Sequence, residues 1–313
     1  MKKRMGAVMI GLAMMISLCC FWRPILCNVG TLTARFILSG NLLLMPLGAT
    51  DETDEGYDEH FFESTDTERT AKTVNLAMES GKYKTVDGIA LKNGADKTVD
   101  IPAMLRAGFT KPTFEKDQPA VLIYHTHAGE NYLDSEGTQS GVIRVGEEMK
   151  SVFEAAGLKT IHLTDDFTKG GSFNTSYTRS LSGVEAVLKK YPSIRIVLDV
   201  HRDSINDGDS ACCPLTTIDG EAYAQVMIIC GTDAKGLSHP HWQDNLRYAL
   251  ALAKNIEGTY PSLCRPINLN GNRYNTHTTP FALLTEIGSE QNTTAEAVRA
   301  GRAVAKSILK TVQ

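Results

Sequence analysis

The chain is poor in the residues that staple small folds. Seven cysteines are scattered through 313 residues, and no CxxC pair occurs. Three of the seven (Cys19, Cys20, Cys27) lie in an apolar N-terminal region, which excludes a disulfide framework and a thiolate zinc ribbon. Cys212-Cys213 reads as a loop pair, and Cys230 and Cys264 read as core thiols. A basic surplus is also missing. The formal net charge is -4, which argues against nucleic acid as a partner. Beyond the N-terminus no apolar run is long enough to span a bilayer, which excludes a multi-span membrane protein. Hydrophobic residues make up 42% and charged residues 22%, the balance of an ordinary globular chain.

The N-terminus carries what the rest lacks. Met1-Lys2-Lys3-Arg4 precedes 17 uncharged residues, Gly6 to Trp22. Such a run meets the lower limit of a spanning helix, and the preceding cations favour an exported remainder. We expect an uncleaved anchor spanning about residues 6–22 within an anchor region 1–49, with a cleaved signal peptide as the alternative. The domain would then lie on the extracytoplasmic side of the cell membrane. Phe36 to Leu47 is too short to span and suits the membrane interface. From Asp51 to Asp66, eight of 16 residues are Asp or Glu. A segment so charged cannot bury enough surface to order itself, so residues 50–85 read as a flexible acidic linker and 86–313 as the compact domain.

Within that domain strands and helices alternate. Two short strands are expected, one in Gly88-Ile-Ala-Leu-Lys-Asn and one in Thr98-Val-Asp-Ile. Ala120–Tyr124 is a continuous apolar run of the buried parallel type, Ile194–Val200 reads as the next buried strand, and Lys159–Leu163, Ala222–Cys230 and the short Phe281–Thr285 add three more strands. Val142, Val145, Met149 and Phe153 share one helical face, with Gly157 as a stop. Further helices carry Leu181, Val184 and Leu188, then Trp242, Leu246 and Ala253. Thr293-Thr-Ala-Glu296 is a capping box opening a last helix through Val298, Gly301, Ala305 and Ile308. The expected fold is α/β, an open and mostly parallel sheet with helices on both faces.

Ligands of such sheets bind outside the carboxyl ends of the strands. Three strand candidates end there in His125-Thr-His127-Ala-Gly-Glu130, Asp199-Val-His201-Arg202-Asp203 and Glu286-Ile-Gly288. Two histidines and a glutamate are an established catalytic zinc set. His127, Glu130 and His201 are the expected ligands, leaving Glu286 as the acid/base beside the attacking water. A bland reading pairs Glu286 with Arg202 or Arg302 instead. His125 lies on the same face as His127 if the strand continues, so it could replace His127 or contact substrate. Arg202 suits a substrate carboxylate, and His277 lies in a polar loop that could border the cleft. His239 and His241 flank Pro240 and read as cap or solvent-facing residues, and His162 reads as structural.

Pro119-Ala-Val-Leu-Ile-Tyr-His-Thr-His127 with Glu130 and Tyr132, Asp199-Val-His-Arg-Asp-Ser204, Val226-Met-Ile-Ile-Cys-Gly-Thr232, Arg273-Tyr-Asn275 and Leu284-Thr-Glu-Ile-Gly288 with Asn292-Thr293 occur in that order. In these stretches residues 86–313 resemble the stage II sporulation protein P family. The resemblance implies the fold of a zinc-dependent N-acetylmuramoyl-L-alanine amidase, a peptidoglycan substrate, and cleavage of the muramoyl–alanine amide during endospore engulfment. Cutting of peptide cross-links is a further activity of some members. It also implies a lytic transglycosylase and a multi-span membrane protein as partners. It leaves the choice between His125 and His127 open. Two other readings of the same residues are a zinc carboxypeptidase-like wall peptidase and a non-catalytic wall-binding scaffold.

Overall fold

A computed structural model describes residues 69–77, 83, 85–136, 140–171 and 175–313. The expected span 6–22 and the acidic run 51–66 lie outside the described residues. Among the described residues no helix is long and apolar enough to cross a membrane. Among the described residues twelve strands and five helices follow in order. These are β1 (Lys72–Val74), β2 (Thr85–Val86), β3 (Ile89–Gly94), α1 (Ile101–Ala107), β4 (Val121–Tyr124), α2 (Val142–Ala155), β5 (Thr160–His162), α3 (Ser176–Lys190), β6 (Ile196–Asp203), β7 (Asn206–Asp207), β8 (Ser210–Ile218), β9 (Glu221–Ala224), β10 (Val226–Gly231), α4 (Trp242–Thr259), β11 (Ile267–Asn270), β12 (Phe281–Ser289) and α5 (Thr294–Val312).

The main sheet has the order β2-β3-β11-β10-β12-β6-β4-β5. One half of it, β12-β6-β4-β5, is parallel throughout. β10 runs antiparallel to β12, and β2 antiparallel to β3. The open, mostly parallel sheet is therefore present. The central strands are apolar on both faces because both are covered: every residue of β4 is buried. One face packs α2, α4 and α5 in the larger core, with Val145, Met149, Leu246, Ile256, Val304 and Ile308 fully buried. The other face is smaller and is covered by α3, whose Val184 meets Leu122, Tyr124 and Val197.

Local chemistry sets the helix ends. Thr293 and Glu296 form the expected capping box at the start of α5. Gly157 takes the left-handed conformation just past α2. The strand expected at Thr98–Ile101 is absent. Asp100 accepts a hydrogen bond from the Ala103 N–H, and Pro102 sits in the first turn, so Ile101 opens α1 instead. The single strand expected over Ala222–Cys230 is two, β9 on β8 and β10 in the main sheet. They part at Gln225, whose fully buried side chain bonds the Leu76 N–H, Asn75 and the Ser262 carbonyl. Cys212 and Cys213 lie in β8 and not in a loop; both are buried free thiols, as are Cys230 and Cys264.

The linker expected through residue 85 does not run free to that point. β1 pairs in parallel with Cys212–Pro214 of β8. Just before it, Arg69 makes a two-pronged ion pair with Glu296 at 2.6 and 2.8 Å and donates to the Gln291 carbonyl. Charge pairing and ladder hydrogen bonds hold this segment where apolar burial could not.

Helices α2 and α5 pack tightly against each other at Gly301. A Cβ there would lie 2.6 Å from Val145 Cγ1 and 3.4 Å from Met149 Cγ. Gly301→Val is expected to destabilise the fold by about 1–3 kcal/mol, the usual cost of overpacking a dense core. A fall in the denaturant midpoint at unchanged slope would show it, and an unchanged midpoint would mean that the helices separate freely.

Candidate metal centre

Three parallel strands carry the site. β4 ends at Tyr124, and the chain turns at once, with the Glu130 N–H bonding back to the His127 carbonyl at 3.1 Å. That turn puts His127 and Glu130 side by side. The Glu130 carbonyl in turn accepts from the Val142 N–H at the start of α2. Gly141 must be glycine there: its φ is +61°, and a Cβ would fall 2.2 Å from the Glu130 carbonyl oxygen. Tyr132 donates its hydroxyl to the Ile287 carbonyl at 2.9 Å, tying this loop to β12. On β6, His201 is in register with Glu286 of β12. Registered residues of neighbouring strands point to the same face, so the three expected sources of chemistry converge.

One donor atom from each of His127, Glu130 and His201 lies within 4.8 Å of the others. His127 Nδ1 is 3.2 Å from Glu130 Oε1, and His201 Nδ1 is 3.2 Å from Glu130 Oε2. A tetrahedron with zinc–nitrogen arms of 2.0–2.1 Å has edges of about 3.3–3.4 Å, so the donors fit such an ion in type and spacing. The remote nitrogens are held as well. His127 Nε2 meets Ser176 Oγ at 2.9 Å. His201 Nε2 lies 2.8 Å from Asp199 Oδ1, a close charge contact whose angle is not that of a hydrogen bond. Asp199 is itself fixed, accepting from the Thr126 N–H at 2.9 Å and the Thr126 hydroxyl at 2.7 Å. Carboxylate-backed imidazole is the usual support of a metal-ligating histidine.

Electrostatics follow from this packing. Burial alone would raise the Glu130 carboxyl. The His201 charge, hydrogen bonds with His127 and His201 and the Arg202 N–H outweigh it and hold the group well below the carboxylate range. Burial alone would lower His201, but Asp199 and Glu130 raise it well above its ordinary value. Glu286 behaves oppositely. Burial pushes its carboxyl up to about 8, with repulsion from Asp203 and Glu130 added and the attraction of His201 insufficient to reverse it. Its Oε2 is buried without a hydrogen-bond partner. Arg302 pairs with Glu148 at 2.6 Å and Arg202 faces Glu290 at 3.9 Å, so neither arginine neutralises Glu286.

The remaining expected residues fall elsewhere. His125, expected at the substrate, points into the protein interior. It is fully buried, with Nδ1 on the Val200 carbonyl at 2.7 Å and Nε2 on His162 Nε2 at 2.8 Å. The same-face argument required the strand to continue past residue 125, and β4 stops at Tyr124. The Arg202 guanidinium donates to the Asn131 carbonyl at 2.9 Å and lies 3.9 Å from Glu290. His277 lies edge-on to His239 at 6.2 Å and is not among the donors of the cluster. His239 is buried and bonds Thr276 Oγ1 at 2.9 Å, contrary to the solvent-facing reading. Asp203 is paired with Arg265 at 2.7 Å. Sequence reasoning gave no role to Asp199, Ser176 or Tyr177. Asp199 had a signal, since residues two apart on a strand share a face with His201. Tyr177, which stacks on His201 (6.5 Å between centroids, 11° between planes), had none.

A profile of the family described as Stage II sporulation protein P matches residues 43–309. The chain belongs to the stage II sporulation protein P family. It is 30% identical over 209 residues to Stage II sporulation protein P of Bacillus subtilis (strain 168), covering 60% of this chain and 50% of that protein. The chain thus spans about half the length of the curated relative that it matches. Among solved structures it is similar to the N-acetylmuramoyl-L-alanine amidase AmiC2 of Nostoc punctiforme, at 14% identity and a TM-score of 0.40, covering 63% of this chain and 98% of that one. It is also similar to the CwlD amidase of Clostridioides difficile in complex with the GerS lipoprotein, at 11% identity and a TM-score of 0.41, covering 62% and 98%.

The Glu286 environment has a consequence for stability. A carboxyl raised from 4.5 to about 8 on folding binds its proton more tightly in the folded state. Its contribution is therefore complete at low pH and declines as pH rises through that window. In chelator-treated protein, wild type should lose stability relative to Glu286→Gln between about pH 5 and pH 8. Parallel denaturant-midpoint profiles for the two proteins would mean that Glu286 is ionised throughout.

Proposed function

We propose that this stage II sporulation protein P family member is a zinc-dependent N-acetylmuramoyl-L-alanine amidase that trims peptidoglycan stems. The observation that carries the reading is the convergence of His127, Glu130 and His201 donors beside the unpaired carboxyl of Glu286. Family membership and the motif order support the substrate assignment.

His127, Glu130 and His201 would hold the ion, with Asp199 and Ser176 fixing the two imidazoles. A zinc ion so bound supplies Lewis-acid polarisation of the scissile carbonyl and a more acidic water. Glu286 accepts a proton from the attacking water as the new carbon–oxygen bond forms. It then delivers that proton to the alanine nitrogen as the carbon–nitrogen bond breaks, leaving a lactyl carboxyl group, which keeps the water's other proton until it ionises to solvent, and a free L-alanine amine. A group poised near neutral pH suits both transfers. Three protein ligands leave a position open, so Glu286 serves as acid/base and not as a fourth ligand.

The proposal extends to where and with what the enzyme works. Gly6–Trp22 tethers the chain, the acidic segment spaces it from the bilayer, and the catalytic domain faces the wall from the extracytoplasmic side. A lytic transglycosylase and a multi-span membrane protein act with it in engulfment, and cleavage of peptide cross-links is a second activity of the same site.

Purified sacculi treated with the full chain test the reaction. New lactyl ends and L-alanine amino termini are expected. Free D-alanine would mean a carboxypeptidase, and no release would mean a binder.

Glu286→Gln is expected to keep its zinc and lose at least about two orders of magnitude in rate, the scale of general acid–base catalysis, whereas His201→Ala loses zinc. Elemental analysis and turnover on the same preparations check both. Near-full zinc in His201→Ala would remove that ligand from the set.

Asp199→Asn is expected to weaken zinc binding about 10–100-fold with the fold intact, the usual cost of a supporting carboxylate. Competition with a chelating dye measures it. Unchanged affinity would leave Asp199 only its bonds to Thr126.

Protease added outside protoplasts is expected to release an active domain. Recovery of the domain from the cytosol alone would contradict the topology.

A further inference from the structure

A cleft of about 490 Å³ opens beside the metal centre. Tyr177 and Tyr274 form part of its lining, Arg273 and Lys235 contribute cations, and Leu237 lies at it with 57% of its surface exposed. No acidic residue lines it. Among the described residues neither Lys235 nor Arg273 forms an ion pair. The buried Arg273 Nε has no hydrogen-bond partner, and one guanidinium nitrogen bonds only the Ser238 carbonyl at 3.3 Å. Two unpaired cations in one cleft are notable in a chain of net charge -4.

Cleft and metal centre are continuous through one ring. Tyr177 is stacked on His201 and edge-on to His127 at 5.5 Å, while Tyr274 packs on it at 5.5 Å. The loop bearing Arg273 is held in place. Tyr274 and Asn275 adopt left-handed backbone conformations, with φ +47° and +56°. The Asn275 side chain bonds the Tyr177 carbonyl at 2.8 Å and Ser180 Oγ at 3.2 Å. An extended peptide advances about 3.3–3.6 Å per residue. A side group on the second or third residue beyond a bond cut at the metal centre therefore lies about two ring contacts away.

We propose that this cleft is the subsite for the stem peptide, and that Lys235 and Arg273 select stems with a free carboxylate on the second or third residue. The inference rests on the amidase reading for the position of the scissile bond. Tyrosines could also stack on a sugar, but the glycan side of an intact muramoyl amide is neutral and gives two cations nothing to pair with. A carboxylate meets both with charge-assisted hydrogen bonds, and the exposed Leu237 suits the methyl groups of alanine.

Calorimetry on the full chain in detergent tests this without requiring turnover. The probes are a synthetic L-alanine-initiated acidic stem peptide, the same peptide with its carboxylates amidated, and a neutral N-acetylated glycan disaccharide. The acidic peptide is expected to bind about tenfold or more tightly than its amide, as hydrogen bonds to charged groups do. In Lys235→Gln and in Lys235→Gln/Arg273→Gln that preference should fall stepwise toward one. Lys235 is exposed, so the single variant keeps the proposal testable if the double variant unfolds. Equal binding of the two peptides by wild type, an unchanged preference in Lys235→Gln, or tighter binding of the disaccharide would each overturn the proposal. Carboxylate preference together with inert sacculi would uphold the subsite and overturn the amidase reading instead.

Discussion

The charge on Glu130 is the constraint on which the rest of the site depends. A carboxylate carried into the edge of a dry sheet is costly unless it is paired and hydrogen-bonded. Here the turn after β4 supplies His127, β6 supplies His201 and the Arg202 N–H, and Gly141 lets the chain pass close over the Glu130 carbonyl. Asp199 adds a second buried negative charge behind His201. Two carboxylates around so few protons leave a strong demand for positive charge, which a divalent cation meets. Burial, with the Asp203 and Glu130 charges added, keeps a proton on Glu286 across the strand register. The proposed ligand set and acid/base thus share one charge arrangement, and a cation at the cluster would draw Glu286 back toward ionisation.

Much of this was legible because the central strands are buried on both faces. A continuous apolar run marked β4, apolar-rich segments marked β6 and β12, and the residues at their ends marked the site. Alternation failed at His125 because it holds only within a strand: the ladder ends one residue earlier, and the ring turns inward onto Val200 and His162. The docked segment around β1 was not legible for a different reason. It is three residues long, is held by Arg69 and Glu296 far apart in sequence, and has no periodicity of its own. The break at Gln225 was hidden by apolar residues on either side. Its signal was a lone amide in a core run, since a fully buried amide must find partners and here joins three separate segments.

The first turn of α3 connects recognition to chemistry. Ser176 holds His127, and Tyr177 lies between the imidazoles and the cationic cleft. The rest of α3 covers the smaller core, so the same packing that closes one face of the sheet sets the wall of the cleft. The proposed stem subsite and the candidate metal centre therefore share this helix, and a shift of α3 would disturb both.

The central claim is that one metal ion sits among His127, Glu130 and His201. X-ray absorption spectroscopy on the zinc-loaded full chain tests it most directly, because it reads ligand type and distance without reference to activity. The account predicts a sulfur-free first shell, with two imidazole nitrogens at about 2.0–2.1 Å and carboxylate and solvent oxygens at about 2.0–2.2 Å. A thiolate shell near about 2.3 Å, drawn from the chain's cysteines, or a spectrum lacking imidazole scattering, would contradict it.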